Sequence, residues 1–167
     1  MTGRILVAYA SKNGSTAEIA QAIGKELQSA GKSVRVIEMK TVKAFEEYDA
    51  VIIGAPIYMG SVLGDMGTFT GRYGSVLAKV PVAAFVVGIA PQDPKPGARE
   101  AAMGSLVKAL GGVKPVSSVL FSGNLDPAKV NFVMRKFMEM AKIPLGDFRD
   151  WDAIATWARG LPAVLNV

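Results

Sequence analysis

Residues 5–16 read Ile5-Leu6-Val7-Ala8-Tyr9-Ala10-Ser11-Lys12-Asn13-Gly14-Ser15-Thr16, and they decide most of the fold. The first five form an apolar run of the kind found in a strand that is buried on both faces. After residue 16, apolar residues recur at the spacing of one helix face, at Ile19, Ile23, Leu27 and Ala30. The polar residues between the two segments therefore form a strand-to-helix turn.

This turn has the composition of a phosphate-binding loop. It offers hydroxyl, amide and freed backbone N–H groups from Ser11, Lys12, Asn13, Gly14, Ser15 and Thr16. A helix N-terminus carries partial positive charge, which also favours a phosphate. The simpler alternative is a helix cap, but a cap needs only one such side chain. A P-loop is excluded because Lys12 precedes Gly14, and a dinucleotide fingerprint because the turn has a single glycine.

The composition limits the chemistry that side chains can perform. The chain has 167 residues, half of them hydrophobic, and it contains neither cysteine nor histidine. Disulfides, thiolate or imidazole metal sites and histidine-assisted nucleophiles are therefore excluded. An enzyme of this composition needs a cofactor to supply the reactive atoms, so we predict no catalytic side chain and no metal site.

Strand-like and helical segments alternate along the chain, which we predict to be one domain over residues 1–167. The strand-like runs are Arg4–Tyr9, Ser33–Glu38, Ala50–Gly54, Val82–Gly88 and Val116–Phe121. Helical patterns occupy Thr16–Ala30, about Asp65–Ala78, and Ala98–Leu110. Because the strands are continuously apolar, we predict an α/β fold with a doubly wound, five-stranded parallel sheet and helices on both faces.

Two strand-end loops are expected beside the polar turn, because doubly wound sheets place their ligand crevice at the carboxyl ends of strands. The third strand continues into Pro56, Ile57, Tyr58, Met59, Gly60 and Ser61. The fourth continues into Gly88, Ile89, Ala90, Pro91, Gln92 and Asp93. Tyr58 is the predicted stacking residue for a flat ring. The alternative is that Tyr58 caps the core.

The polar turn resembles the phosphate loop of the flavodoxins. Six positions of that pattern are matched, by Tyr9, Ser11, Gly14, Thr16, Ala20 and Ile23, while Ala8 is smaller than the pattern prefers. The resemblance implies the flavodoxin-like topology and FMN as cofactor. It implies that the FMN phosphate binds residues 11–16 and that the ring lies between residues 56–61 and 88–93.

An extra helix is predicted over about residues 127–143, before a last helix. Its apolar stripe is predicted to pack on the domain, and comprises Val130, Val133, Met134, Phe137, Met138 and Ala141. Phe132 and Met140 lie outside the stripe or at its edge, which leaves contact with a lipid surface, a quinone-bearing partner or a flat hydrophobic substrate open. Trp151, Ile154, Trp157 and Ala158 are predicted to cover the core.

The extra helix followed by Asp147-Phe148-Arg149-Asp150-Trp151-Asp152 resembles the menaquinone-dependent protoporphyrinogen dehydrogenase branch of the flavodoxin superfamily. That resemblance implies an FMN-dependent two-electron dehydrogenase that passes electrons to a quinone. A flavodoxin-type one-electron carrier and a flavin-free interaction module remain alternatives. The net charge of +5 and the single acid of residues 88–93, Asp93, favour the dehydrogenase, because surrounding acids lower a flavin's potential.

The charge distribution also bears on partners. Residues 90–143 carry eight basic and four acidic side chains, which suits an acidic small-molecule substrate, an anionic lipid surface or an acidic partner. We expect a small-molecule redox substrate, for which an anionic, flat molecule is a candidate, and no nucleic acid. A quinone and a homodimer remain open. The N-terminus lacks a signal-peptide pattern, so we expect a cytoplasmic protein, with peripheral contact to the inner face of the membrane left open.

Overall fold

Five parallel strands form the centre of the computed structural model, which describes residues 3–12, 14–43, 45 and 47–167. They are β1 (Arg4–Tyr9), β2 (Ser33–Glu38), β3 (Ala50–Tyr58), β5 (Val82–Gly88) and β6 (Ser117–Ser122), in the order β2-β1-β3-β5-β6. A short strand, β4 (Ser61–Val62), pairs antiparallel with the end of β3. This is the doubly wound order, and the predicted fold class is confirmed.

Helices cover both faces of the sheet. They are α1 (Ser15–Ser29), α2 (Gly64–Leu77), α3 (Ala98–Leu110), α4 (Phe132–Met140) and α5 (Trp151–Leu165). One hydrophobic cluster joins α1 and α5 to the sheet, and a second joins α2 and α3 to its other face. Among the described residues, no helix combines the length and apolar character needed to cross a membrane.

Successive residues of the central strands serve opposite faces, which explains their continuous apolar character. Ile5 and Val7 belong to the cluster with α1 and α5, whereas Leu6 and Ala8 belong to the cluster with α2 and α3. Gly54 is required for this packing, because a Cβ there would lie 1.9 Å from the ring of Phe85. Tight packing on both faces therefore holds the strands whose carboxyl ends carry the loops described below.

The segment after β6 differs from its prediction. A second, two-stranded sheet joins β7 (Asn124–Leu125) to β8 (Gly146–Asp147), and α4 lies between these strands in the sequence. The helix begins at Phe132, later than the predicted start near residue 127, because Asn131 caps it. The Asp126 carboxylate accepts the N–H of Ala128 at 2.9 Å.

The prediction that the whole apolar stripe of this helix packs on the domain is wrong. Met138 is buried, but Val133 is 71% exposed and Phe137 is 49% exposed. Trp151 also differs from its prediction as core cover, since it is 42% exposed. Ile154 and Ala158 are buried as predicted, and the Trp157 indole packs edge-on against Phe121.

Candidate functional site

Three strand-end segments lie side by side at the carboxyl edge of the sheet. Strands β1 and β3 are paired up to Tyr9 and Gly54, and the N–H of Ala10 donates to the carbonyl of Gly54 at 2.9 Å. Strands β3 and β5 are paired up to Pro56 and Val87. The turn after β1, the end of β3 and the loop after β5 are therefore neighbours.

The turn after β1 presents an open helix N-terminus. Gly14 is the N-cap residue of α1 at φ 92°, a left-handed conformation that favours glycine, and its N–H donates to Ser11 Oγ at 3.0 Å. Because glycine has no side chain, the N-cap supplies no acceptor for the first N–H groups of the helix. Apart from its two chain neighbours, no atom of the described residues lies within 4 Å of where a Cβ on Gly14 would stand. Asn13, a predicted site residue, lies outside the described residues.

The other residues of this turn differ in exposure. Thr16 is only 1% exposed, Ser11 and Ser15 are half-buried, and Lys12 is exposed. The ammonium of Lys12 lies 3.6 Å from the centroid of the Tyr58 ring, a favourable cation–π geometry. This contact joins two of the predicted segments directly. Tyr58 is only partly buried and belongs to neither hydrophobic cluster of the described residues.

The end of β3 is a tight hairpin. Tyr58 pairs with Ser61, and the two residues between them, Met59 and Gly60, have φ values of 53° and 82°. Two consecutive positive φ values are typical of the type I′ hairpin turn, in which a methionine is unusual. The side chain of Met59 is 64% exposed, so the hairpin presents an apolar group at the same edge of the sheet.

A residue that sequence analysis missed supports this hairpin. The hydroxyl of Ser105, on α3, accepts the N–H of Val62 at 2.9 Å. The N–H of Leu63 donates to the carbonyl of Pro56 at 2.9 Å. Nothing in the sequence around Ser105 distinguishes it from any other serine on a helix, because the contact spans 43 positions.

The loop after β5 is compact. Gly88, the last residue of β5, is buried, and a Cβ there would lie 3.3 Å from Cβ of Ile57, so a side chain at this position would crowd β3. Residues Ala90–Gln92 form a 3-10 turn, and the Asp93 carboxylate accepts the N–H of Lys95 at 2.9 Å. The Gln92 amide donates to Ser122 Oγ at 3.0 Å, on β6, so its side chain is held away from β3. Its buried Oε1 has no hydrogen-bond partner among the described residues.

Arg149 belongs to the motif that carries the family resemblance, but the sequence did not predict its contacts. Its side chain is 8% exposed, donates to Asp147 at 2.8 and 2.9 Å, and also bonds to Glu18 in the first turn of α1. The hydrogen bond with Asp147 is the largest cause that raises the pKa of Arg149, and it lowers the pKa of the Asp147 carboxyl. The C-terminal segment is thereby attached to the helix that begins at the polar turn.

A cavity of about 600 Å³ lies elsewhere, between the C-terminal halves of α2 and α3. Gly71, Gly74, Lys108 and Gly112 are among its lining residues, and none of the predicted site residues lines it. The candidate site is instead the carboxyl edge of the sheet, where the three strand-end segments lie side by side.

Comparison with known sequences gives one family and several relatives. The sequence model of the flavodoxin domain matches residues 6–152. The chain is 32% identical to NAD(P)H dehydrogenase (quinone) of Acidovorax ebreus (strain TPSY), over 46% of this chain and 49% of that protein. It is 27% identical to protoporphyrinogen IX dehydrogenase [quinone] of Escherichia coli (strain K12), over 55% of this chain and 52% of that protein. The matches thus span about half the length of these relatives.

Solved structures share the fold. A flavodoxin from the domain Archaea superimposes with a TM-score of 0.59 at 19% identity, covering 98% of this chain and 99% of its own. A flavoprotein from Lactobacillus acidophilus NCFM, solved in complex with FMN, gives a TM-score of 0.53 at 14% identity, with 72% and 93% covered.

Proposed function

Because the chain belongs to the flavodoxin domain family, we propose that it is an FMN-dependent oxidoreductase. The observation that carries the proposal is the contact between Lys12 and Tyr58, which joins the polar turn after β1 to the hairpin after β3. In the flavodoxin-like strand order, FMN binds at this β1/β3 switch point.

The polar turn suits the FMN phosphate. The N-terminal N–H groups of α1 are directed to the carboxyl edge of the sheet, where Gly14 leaves them without a capping side chain and with open space. We assign the phosphate to Ser11, Lys12, Asn13, Gly14, Ser15 and Thr16. A phosphate there interacts favourably with the partial positive charge of the helix and with the Lys12 ammonium.

The flavin ring is assigned to the cleft between residues 56–61 and 88–93. Tyr58 offers an aromatic face and Met59 an exposed apolar side chain. In the loop after β5, the N–H groups of Gln92 and Asp93 already donate within the loop, so the remaining backbone groups would meet the ring. In this structure the Lys12 ammonium covers one face of Tyr58, so stacking on that face releases the ammonium for the phosphate. Bound FMN would supply the redox chemistry, and the protein would bind, shield and tune it.

We further propose a two-electron dehydrogenase with a quinone as electron acceptor and a flat, anionic substrate of the porphyrinogen class. The loop after β5 contains one acid, Asp93, whose carboxylate is already bonded to the backbone of Lys95. Few negative charges near the ring favour an anionic reduced cofactor and a potential close to that of free flavin. The names of two relatives support a quinone as acceptor.

The test begins with FMN binding to the purified chain, measured by absorption and flavin fluorescence. We expect Ser15→Ala to weaken binding by about tenfold, the effect of losing one hydrogen bond to a charged group. Ser29→Ala, at the other end of α1, is the matched control and is expected to bind as the wild type does. The absence of FMN binding in the wild type would contradict the whole proposal.

Reductive titration of the FMN complex then distinguishes the two redox functions. A dehydrogenase is expected to be reduced in one two-electron step, and then to be reoxidised by a soluble quinone. Two well-separated one-electron steps, or a second potential far below that of free flavin, would instead assign the chain as an electron carrier. Turnover of protoporphyrinogen with a quinone tests the substrate class directly.

A further inference from the structure

Helix α4 exposes most of its large apolar side chains. Phe132 is 73% exposed, Val133 71%, Phe137 49% and Met140 84%. A helix turns by about 100° per residue, so these four side chains lie on one arc of about 140°. We call this arc the α4 face. Contiguous exposed apolar surfaces are uncommon on soluble monomers and mark interaction sites.

Basic side chains outnumber acidic ones in the segment that contains the α4 face. Residues 127–145 carry Lys129, Arg135, Lys136 and Lys142 against one acid, Glu139. Lys136 lies within the arc itself, and its ammonium is 5.6 Å from the centroid of the Phe132 ring. Arg135 is fixed beside the start of the helix, where its guanidinium donates to the carbonyl of Pro127 at 2.6 Å.

We propose that the α4 face binds the surface of a membrane that contains anionic phospholipids. Amphipathic helices with basic residues beside an apolar face lie in the headgroup region of a membrane, where their apolar side chains enter the acyl boundary. Lys136 favours this occupant over a protein groove. In a dry protein interface its charge would lose its hydration, whereas at a membrane the ammonium reaches lipid phosphates while its stem stays among apolar groups.

The position of α4 connects the proposed membrane contact with the candidate site. Strand β7 begins two residues after the carboxyl end of β6, and β8 leads to Arg149, which bonds to Glu18 in the first turn of α1. The helix therefore emerges at the sheet edge that also carries the polar turn. Docking through α4 would bring this edge close to a bilayer, where quinones dissolve. Lipid binding itself needs only α4 and does not depend on the proposed FMN chemistry.

Flotation with vesicles tests the proposal. We expect the wild type to float with phosphatidylcholine vesicles that contain phosphatidylglycerol, more weakly at high salt, and to bind pure phosphatidylcholine poorly. Phe132→Ser combined with Phe137→Ser is expected to weaken partitioning by at least about tenfold. Lys136→Gln is expected to weaken it by about fivefold and to reduce its salt dependence.

The matched control replaces exposed apolar residues on other helices. Val107, on α3, is 67% exposed and Val164, on α5, is 49% exposed. The Val107→Ser and Val164→Ser double variant is expected to bind vesicles as the wild type does. Because all substituted side chains are exposed, circular dichroism and the unfolding midpoint are expected to stay unchanged in every variant.

Three results would overturn the proposal: no flotation of the wild type, equal flotation of all variants, or a dimer in sedimentation that the phenylalanine substitutions dissociate. The last would assign the α4 face to a second copy of the chain. Each assay is run with and without FMN. Flotation without any FMN binding would overturn the proposed function alone, and FMN binding without flotation would overturn the membrane proposal alone.

Discussion

Helices α4 and α5 begin with the same kind of N-cap but differ in how much of their apolar face is buried. Asn131 caps α4 by accepting the N–H of Met134 at 2.8 Å, and Asp150 caps α5 by accepting the N–H of Ala153 at 3.0 Å. Both helices carry apolar residues at helical spacing. Helix α5 buries four of them, at Ile154, Ala158, Leu161 and Leu165, whereas α4 buries only Met138.

The two helices differ in burial because they lie at different places relative to the main sheet. Helix α5 packs against α1 and completes the cover of one sheet face, while α2 and α3 cover the other. Helix α4 lies in the segment between β7 and β8, beyond the main sheet. An apolar stripe thus predicts that a helix forms, but its burial also requires a free apolar surface within reach.

The largest expected difference in the free energy of unfolding is between truncating one large apolar side chain of α5 and truncating one of α4. Leu161 is 1% exposed, so Leu161→Ala is expected to lower the free energy of unfolding by about 3 kcal/mol through lost burial and a cavity. Met140→Ala is expected to change it by less than about 0.5 kcal/mol. Urea denaturation measures both, and equal losses would show that α4 packs on the domain after all.

An intermediate loss of stability is expected from a substitution in the segment that joins α4 to α5. Arg149→Gln removes a nearly buried guanidinium from two carboxylates, and we expect a loss of about 1–2 kcal/mol. Arg159→Gln is the matched control, because Arg159 also bonds to a glutamate of α1, Glu26 at 3.2 Å, but is 64% exposed. Its loss is expected to stay under about 0.5 kcal/mol. A larger loss for Arg159→Gln would contradict this ranking.

The effect of Arg149→Gln is also expected to depend on pH. Arg149 holds the pKa of Asp147 below its ordinary value of 3.8, so the interaction stabilises the fold at pH values above 3.8. This stabilisation is lost as the pH falls through the lowered pKa of the folded state. The stability difference between wild type and Arg149→Gln is therefore expected to be constant near neutral pH and to shrink below 3.8. A difference that grows in acid would rule out Asp147 as the partner.

The fold could be predicted from the sequence because its signals are local. The run from Ile5 to Tyr9 is apolar enough to be a buried strand, and α3 occupies Ala98–Leu110 as predicted. The neighbourhood of the three strand-end segments followed from the strand order alone. The burial of an apolar helix face depends on distant parts of the chain, which is why the sequence pattern predicts the burial of Val133 and Phe137 wrongly.

The supporting residues of the site could not be predicted for the same reason. Ser105 meets Val62 across 43 positions, and Arg149 meets Glu18 across 131. Neither residue has a distinctive local pattern, and only the assembled sheet brings the partners together. The cation–π contact of Lys12 with Tyr58 likewise depends on the pairing of β1 with β3.

The smallest effects are expected from the two caps, and they separate local from global stability. Removing either acceptor, by Asn131→Ala or Asp150→Ala, costs its own helix about 1 kcal/mol. Asp150→Ala is expected to lower the global free energy of unfolding by about that amount, because α5 unfolds with the core. Asn131→Ala is expected to leave the global free energy of unfolding nearly unchanged and to speed hydrogen exchange within α4.

Asn131→Asp and Asp150→Asn keep a side-chain acceptor at each cap and serve as controls. Equal global losses for the two alanine variants would mean that α4 unfolds only together with the core, and that its exposed face belongs to a firmly packed element.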